Sequence, residues 1–353
     1  MSQKQILSSA LRAAADFYRT QGRALPWRRD RDPYHVFLSE IMLQQTRVEA
    51  VIPYYEKFLS LYPDVRALAS AEEEAVLKAW EGLGYYSRAR NLLRTAKTVA
   101  DVHSGSFPES FDELLTLPGI GKYTAGAIAS ISFGLPKSAV DGNAVRLYTR
   151  LFADGRNAAD EAFKAEITRA LDSVYPQGDA ASDVTQGLME VGQRFCLPVG
   201  APKCADCPLS PFCAVAKGED FRLYPHKEKK KSRKIQPLTV LLLTDGERFA
   251  ISKRPDTGLL ARLWEFPHAD GTLTDSEAVS AALALGFQAT GAIQAESGKH
   301  IFTHIEWHMT SFILPFSGDI PEGFSSVTYE EIKEKYPIAS AFRIFLDYIE
   351  KHR

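Results

Sequence analysis

Leu117-Pro118-Gly119-Ile120-Gly121-Lys122-Tyr123-Thr124-Ala125-Gly126-Ala127 places a glycine turn directly ahead of a run of small residues. Glycine reaches backbone conformations that other residues avoid, so the first part reads as a tight hairpin. The second part reads as a helix whose small side chains let a neighbouring element come close. At such a helix start the backbone N–H groups point outward without an intrahelical acceptor, which suits a phosphate. A glycine loop with no ligand shares the same residues, and the stretch alone does not choose between the two.

Outward from the hairpin, the pattern is helical from the N-terminus to about Ala216. Apolar residues recur at three- and four-residue spacing between Pro and Gly breaks, and Leu7, Leu11, Ala14 and Tyr18 mark the first such face. Residues 227 to 234, Lys-Glu-Lys-Lys-Lys-Ser-Arg-Lys, cannot pack a core and read as an exposed linker, either a solvated hinge or one that contacts phosphates. Strand-like segments follow at Leu238 to Thr244, Phe249 to Lys253 and His300 to Leu314, with helical stretches at Ser276 to Ala284 and Ala339 to Glu350. The expected organisation is an all-α domain over 1–217, a basic linker over 218–236 and an α+β domain over 237–353.

Composition narrows the class without naming it. The 353 residues are 45% hydrophobic and 24% charged, an ordinary globular balance, and the start, Met1 to Gln21, lacks the apolar core of a secretory signal. The richest apolar run, near Thr239 to Leu243, has strand length, so an intracellular, cytoplasmic protein with no membrane contact is expected. A formal charge of -2 offers no whole-chain signature of nucleic-acid binding; any DNA affinity must come from local patches and backbone donors.

Three further strings carry chemistry. Leu38 to Thr46 (Leu-Ser-Glu-Ile-Met-Leu-Gln-Gln-Thr) is an apolar helix interrupted by one carboxylate, Glu40, and two amides. Asp141-Gly-Asn-Ala-Val-Arg opens with a residue able to cap a helix through its carboxylate. All four cysteines fall in Cys196-x7-Cys204-x2-Cys207-x5-Cys213, a clustering that suits metal ligation better than disulfides, and the spacing admits either tetrahedral zinc or a 4Fe-4S cubane.

Taken in order, these motifs resemble the MutY family of adenine DNA glycosylases, within the helix-hairpin-helix glycosylase superfamily, and the resemblance spans nearly the whole chain. It implies a helical glycosylase domain with an iron-sulfur loop followed by a Nudix-like domain, acting in base excision repair on double-stranded DNA that carries adenine opposite 8-oxoguanine or guanine. A monomer is expected; the bacterial nucleoid is the expected location.

In the family role, Glu40 is the general acid that protonates adenine N7 and then the base towards water. Holding its proton near neutral pH takes roughly 2 units above a reference of ~4.3, about 3 kcal/mol. Asp141, with Asn143 beside it, falls at the essential aspartate; at ~4 Å and an effective dielectric of ~20 a carboxylate stabilises the developing sugar cation by about 4 kcal/mol. Related endonuclease III proteins carry a Schiff-base lysine where Tyr123 stands here. Lys122 is offset by one residue, which on a helix turns its amine about 100° away, so a monofunctional enzyme using water is expected. Tyr123 is placed to hydrogen-bond a carboxylate or merely to pack.

The resemblance also implies that Gln45 wedges the duplex, and that Tyr85, in Gly82-Leu-Gly-Tyr-Tyr-Ser-Arg-Ala-Arg90, stacks beside the oxidised guanine. Gly119 and Gly121 shape the DNA-binding hairpin, and Arg28, Gln186 and Glu190 line the adenine pocket. Cys196, Cys204, Cys207 and Cys213 hold a 4Fe-4S cluster, although the family's first interval has six residues and this one seven; zinc is the alternative. Gly258 to Pro267 is similar to a strand and loop of the Nudix-like domain. A working Nudix hydrolase requires an Arg-Glu-x-x-Glu-Glu metal site, whereas Val279-Ser-Ala-Ala-Leu-Ala284 has no carboxylate there, so recognition replaces hydrolysis. Phe302-Thr303-His304 resembles the family's Phe-Ser-His loop, with Thr303 and His304 facing the altered guanine edge.

Overall fold

A computed structural model describes residues 1–228 and 232–352. Of the basic run at 227 to 234, Lys229, Lys230 and Lys231 therefore lie outside the described residues. The helices are α1 (Gln3–Gln21), α2 (Pro33–Leu43), α3 (Val48–Leu61), α4 (Val65–Ala69), α5 (Glu73–Ala79), α6 (Ser87–Val102), α7 (Phe111–Leu114), α8 (Lys122–Ile131), α9 (Gly142–Phe152), α10 (Glu161–Asp172), α11 (Asp179–Arg194), α12 (Asp275–Ala284), α13 (Tyr329–Glu334) and α14 (Arg343–His352). The chain divides into two compact units, one of residues 1–71 with 91–229, the other of residues 72–90 with 230–353.

The first unit is helical because its segments present apolar stripes and begin with caps. Ser2 accepts from the Gln5 N–H while the Gln5 side chain accepts from the Ser2 N–H, a reciprocal box that starts α1. Leu7, Leu11 and Ala14 are buried as their spacing predicts, but Tyr18 sits at the edge of that face and donates its hydroxyl to Gln186. Two close approaches require glycine. A methyl at Gly187 of α11 would lie 2.3 Å from the Ala14 carbonyl oxygen of α1, and one at Gly126 of α8 would lie 2.3 Å from that of Ser138. The small residues after the hairpin thus serve the packing expected of them.

The second unit is built on a mixed nine-stranded sheet with the path β3-β2-β1-β8-β5. Its strands are β1 (Lys234–Thr244), β2 (Arg248–Lys253), β3 (Trp264–Glu265), β4 (His268–Asp270), β5 (Gln288–Ala289), β6 (Ile293–Gln294), β7 (Gly298–Ile301), β8 (Ile305–Ser317) and β9 (Phe324–Thr328). β1 and β8 run parallel at the centre, in register from Lys234 with Ile305 to Thr244 with Pro315. Leu238 to Leu243 are all buried, the continuous burial of a strand covered on both faces. Leu241, Leu243, Phe312 and Leu314 pack with Ala278 and Ala282 of α12 on one of those faces.

The segment expected as one strand over His300 to Leu314 is two, β7 and β8, joined by a turn that the Phe302 N–H closes onto the Ile305 carbonyl at 2.9 Å. Thr303 and His304 are therefore exposed turn residues rather than sheet residues. Among the described residues no helix is long and apolar enough to cross a membrane.

Candidate active site

Asp32 caps α2 by accepting from the Tyr34 N–H, and Pro33 occupies the first turn, where its missing N–H costs nothing. Every residue from Val36 to Met42 is buried, so the single carboxylate on this helix is taken out of water: Glu40 is 4% exposed. The Tyr123 hydroxyl donates to Glu40 Oε2 at 2.6 Å. Burial pushes Glu40 up to about 7; Asp141 adds to the rise, while the Tyr123 donor and Arg28 oppose it. Burial, with the charges of Glu40 and Asp141, also raises Tyr123 well above its ordinary value, which keeps its hydroxyl protonated.

Asp141 caps α9. Its Oδ1 accepts from the N–H groups of Asn143 and Ala144 at 2.9 and 2.8 Å, and its Oδ2 accepts from Asn143 Nδ2 at 2.7 Å. Arg146 in turn donates to Asn143 Oδ1 at 2.8 Å. Burial raises Asp141, and those donors together with Arg146 pull it back. Capping and a site role coexist: the carboxylate is fixed in direction while acting electrostatically on Glu40 and Tyr123.

Glu40 also lines a small, partly open cleft with Trp27, Arg28, Ser39, Gln186 and Met189. Gln186 accepts from the Tyr18 hydroxyl at 2.7 Å and donates to Ser182 at 3.0 Å, so its amide orientation is locked. Arg28 pairs with Glu190 at 2.9 Å, and Arg23 pairs with the same carboxylate at 2.8 Å. Burial would raise Glu190, but Arg23 and Arg28 outweigh it and hold the group below its usual value. Glu190 thus orients Arg28 rather than facing the cleft. Sequence reasoning missed Tyr18 and Arg23, whose partners lie more than 160 residues away, and Ser182, which stands one helical turn before Gln186 and belongs to none of the motifs read above.

The hairpin has the expected geometry. Gly119 has φ +76°, and a methyl there would meet the Asn91 side chain at 2.5 Å. Gly121 caps α8 without a side chain; Lys122 is exposed, whereas Tyr123 turns inward to Glu40. The first helix of the pair, α7, is only a single turn. Gln45, exposed just beyond α2, has φ +61°. In the second unit Tyr85 is 48% exposed with φ +49°, its ring 5.5 Å from the Arg88 guanidinium.

The four cysteines carry free thiols and line one cavity with Leu147, Arg150, Phe195 and Leu209. Arg150 donates to Cys196 Sγ at 3.3 Å, and backbone N–H groups of Leu209 and of Val215 and Ala216 reach Cys207 and Cys213. Burial pushes the Cys207 thiol up to about 12, so thiolates here require a cationic partner. Among the described residues no three Cys, His, Asp or Glu side chains converge as a single-ion site. A tetrahedral zinc would need sulfurs about 3.8 Å apart. The extra residue of the first interval falls in the loop holding Val199, 84% exposed, and Gly200, φ +77°, and the Lys203 N–H closes that loop on the Phe195 carbonyl at 2.8 Å.

In the second unit Phe302 packs on Trp307 and His300 with centroids 4.9 and 4.6 Å apart, which leaves Thr303 and His304 facing outward. On α12 the acids Asp275 and Glu277 stand only in the first turn, and Glu277 is engaged in capping with Thr274. The carboxylate array of a metal-dependent Nudix hydrolase is absent among the described residues.

Comparison with known proteins agrees with this architecture. Residues 38–172 match the HhH-GPD superfamily base excision DNA repair protein family, and residues 239–348 match the NUDIX domain. An adenine DNA glycosylase of Buchnera aphidicola subsp. Schizaphis graminum is 34% identical over 72% of this chain and 73% of its own length. One from Homo sapiens is 30% identical over 89% of this chain and 69% of its own. A thermostable thymine-DNA glycosylase structure aligns with TM-score 0.55 and 28% identity, covering 62% of this chain and 99% of that one. A trapped endonuclease III–DNA intermediate shares the fold, with TM-score 0.52 and 24% identity over 62% of this chain and 98% of that one. With its buried Glu40–Tyr123 pair beside the Asp141 cap, its helical hairpin and its Nudix-type second unit, the chain belongs to the adenine DNA glycosylase family.

Proposed function

We propose that this chain is a monofunctional glycosylase that hydrolyses the N-glycosidic bond of adenine opposite 8-oxoguanine or guanine in double-stranded DNA. The observation that carries the reading is a carboxyl poised at neutral pH, Glu40, bonded to Tyr123 within electrostatic reach of Asp141 and lining a cleft with Arg28 and Gln186. The hairpin donors at Gly119 and Gly121 take a phosphate, Gln45 enters the duplex, and adenine is flipped at a cost of a few kcal/mol into the cleft between Arg28 and Gln186. Glu40 donates its proton to N7, and the C1′–N9 bond breaks with its electron pair leaving on the base. Asp141, steadied by Asn143, stabilises the cation left on the sugar. Water adds to C1′ and returns a proton to the Glu40 carboxylate.

The test is strand-specific base release from a panel of mismatched duplexes. Adenine released from 8-oxoguanine and guanine pairs, with no borohydride-trapped adduct on abasic DNA, is the expected outcome; efficient trapping would restore a lyase reading. Removing the hydroxyl in Tyr123→Phe takes away a donor that favours the Glu40 carboxylate. Its pKa then rises further, and the loss of activity expected as pH climbs past about 7 should move to higher pH. An unmoved alkaline limb would detach Tyr123 from the acid.

Thr303 and His304 read the oxidised guanine, supported by their exposure at the β7–β8 turn. Replacing both with alanine should narrow the preference for 8-oxoguanine over guanine opposite adenine by about tenfold; an equal preference before and after would discard that role. Cys196, Cys204, Cys207 and Cys213 would hold a 4Fe-4S cluster, with zinc the alternative, a reading supported by the one cavity that all four line. Bound there, the cluster supplies structure, supporting a DNA-contacting loop around Lys203. Purified protein should be brown, with broad absorbance at about 400 nm; a colourless, zinc-containing preparation would exclude it.

A further inference from the structure

The Gly258–Pro267 string has no part in the chemistry above, yet its loop holds two non-glycine residues at positive φ, Leu260 at +57° and Arg262 at +64°. Such conformations persist only where surrounding contacts impose them. Some of the contacts are local, the Arg262 N–H donating to the Pro255 carbonyl at 3.0 Å and Arg254 Nε to that of Leu259 at 2.9 Å; others come from residues 72–90. Arg90 donates to the Ala261 carbonyl, between the two strained residues, at 2.7 Å. Arg262 pairs with Glu73 at 2.9 Å, Lys253 pairs with Glu74 at 2.5 Å, and Lys78 donates to the carbonyls of Ile332 and Tyr336, each at 3.1 Å.

The held segment is strained at Tyr85, φ +49°, which follows two glycines, Gly82 and Gly84, that adopt φ of +103° and +69° freely. Trp80 Nε1 donates to the Gly84 carbonyl at 3.1 Å, and Arg88 donates to those of Leu83 and Gly84 at 2.9 and 3.1 Å. Arg88 and Arg90 stand in the first turn of α6, which has no acidic residue there. Cations at that end oppose the helix dipole, so helix stability does not explain their position.

We propose that the 258–263 loop is a clasp for residues 72–90, with Arg90 and Arg262 as positioning residues that hold the Tyr85 loop in its reading conformation. The inference rests on the proposed role of Tyr85 beside the oxidised guanine. It makes the posture of the stacking tyrosine depend on a loop that lies within the residues matching the NUDIX domain.

The test is a double-mutant cycle in the full-length protein, measured as single-turnover adenine release from 8-oxoguanine:adenine and guanine:adenine duplexes. Arg90→Met should lower the preference for the 8-oxoguanine pair by about tenfold while leaving release from the guanine pair unchanged. Combined with Tyr85→Leu it should add nothing, because both act through one side chain. Hydrogen exchange across 82–86 should quicken in Arg90→Met, and Arg90→Lys should restore part of the preference. Additive losses, or unchanged exchange across 82–86, would overturn the clasp. If Tyr85→Leu alone leaves the preference intact, the stacking role itself falls and the clasp with it. Should Arg90→Met fail to fold, Arg262→Met removes the other half of the clasp and carries the same expectations.

Discussion

Glu40→Gln should bind the mismatched duplex, release adenine at least about a thousandfold more slowly, and yet be the more stable protein above neutral pH. The rate loss follows from removing the carboxyl proposed to supply N7 with a proton, a contribution of 10²–10⁴-fold for general acids. The stability gain follows from linkage. Native Glu40 titrates at about 7 against an ordinary 4.5, so between those values the native state holds a proton that the unfolded chain has released. Wild-type stability therefore falls as pH rises through that window, by up to about 3 kcal/mol. Glutamine fills the same volume, accepts the Tyr123 hydrogen bond and carries no charge to desolvate. Urea unfolding of both proteins at pH 5 and pH 9 checks this: their stabilities should diverge at the higher pH. Parallel pH dependence would mean that Glu40 ionises as an ordinary surface acid, and retained base release would remove it from the chemistry.

Asp141→Asn should separate catalysis from folding at a second position. The carboxylate caps α9 and, in the proposed mechanism, faces the developing cation, and asparagine performs the first task nearly as well as aspartate. Loss of about 4 kcal/mol of attraction predicts release about a thousandfold slower, with a change in unfolding free energy below about 1 kcal/mol. Asp141→Ala loses the cap as well and should be destabilised by roughly another 1 kcal/mol. Comparable base release in Asp141→Asn and wild type would make the residue a cap and nothing more.

Much of this site was legible from residue order because its signals are local. A carboxylate inside an apolar helix and a glycine pair before small residues each declare themselves within a dozen positions, and the four cysteines fall between positions 196 and 213. The side chains that lock the cleft do not. Tyr18 reads as one more member of the first apolar face, yet its hydroxyl finds Gln186, 168 residues on; Arg23 reads as a surface cation and finds Glu190, 167 residues on. Periodicity describes which side of a helix is apolar and carries nothing about which distant residue waits there. The Phe302–His304 turn was hidden for a different reason. Its flanks have uninterrupted strand composition, and what breaks the strand is Phe302 folding back onto Trp307, a contact with no marker in turn chemistry. The inclusion of residues 72–90 in the second unit is likewise set by side chains reaching carbonyls far along the chain.

Gln45 carries an exposed side chain on a backbone bent to φ +61°, a posture that costs an L-residue about 1 kcal/mol and that glycine adopts freely. A laboratory evolving this enzyme for heat resistance would thus find Gln45→Gly among its early winners. On the wedge role proposed for Gln45, the same substitution would strip the protein of the probe with which it pries open a base pair. Robustness and searching ability draw on the same residue in opposite senses, and that conflict explains how an unfavourable torsion can persist on an open surface.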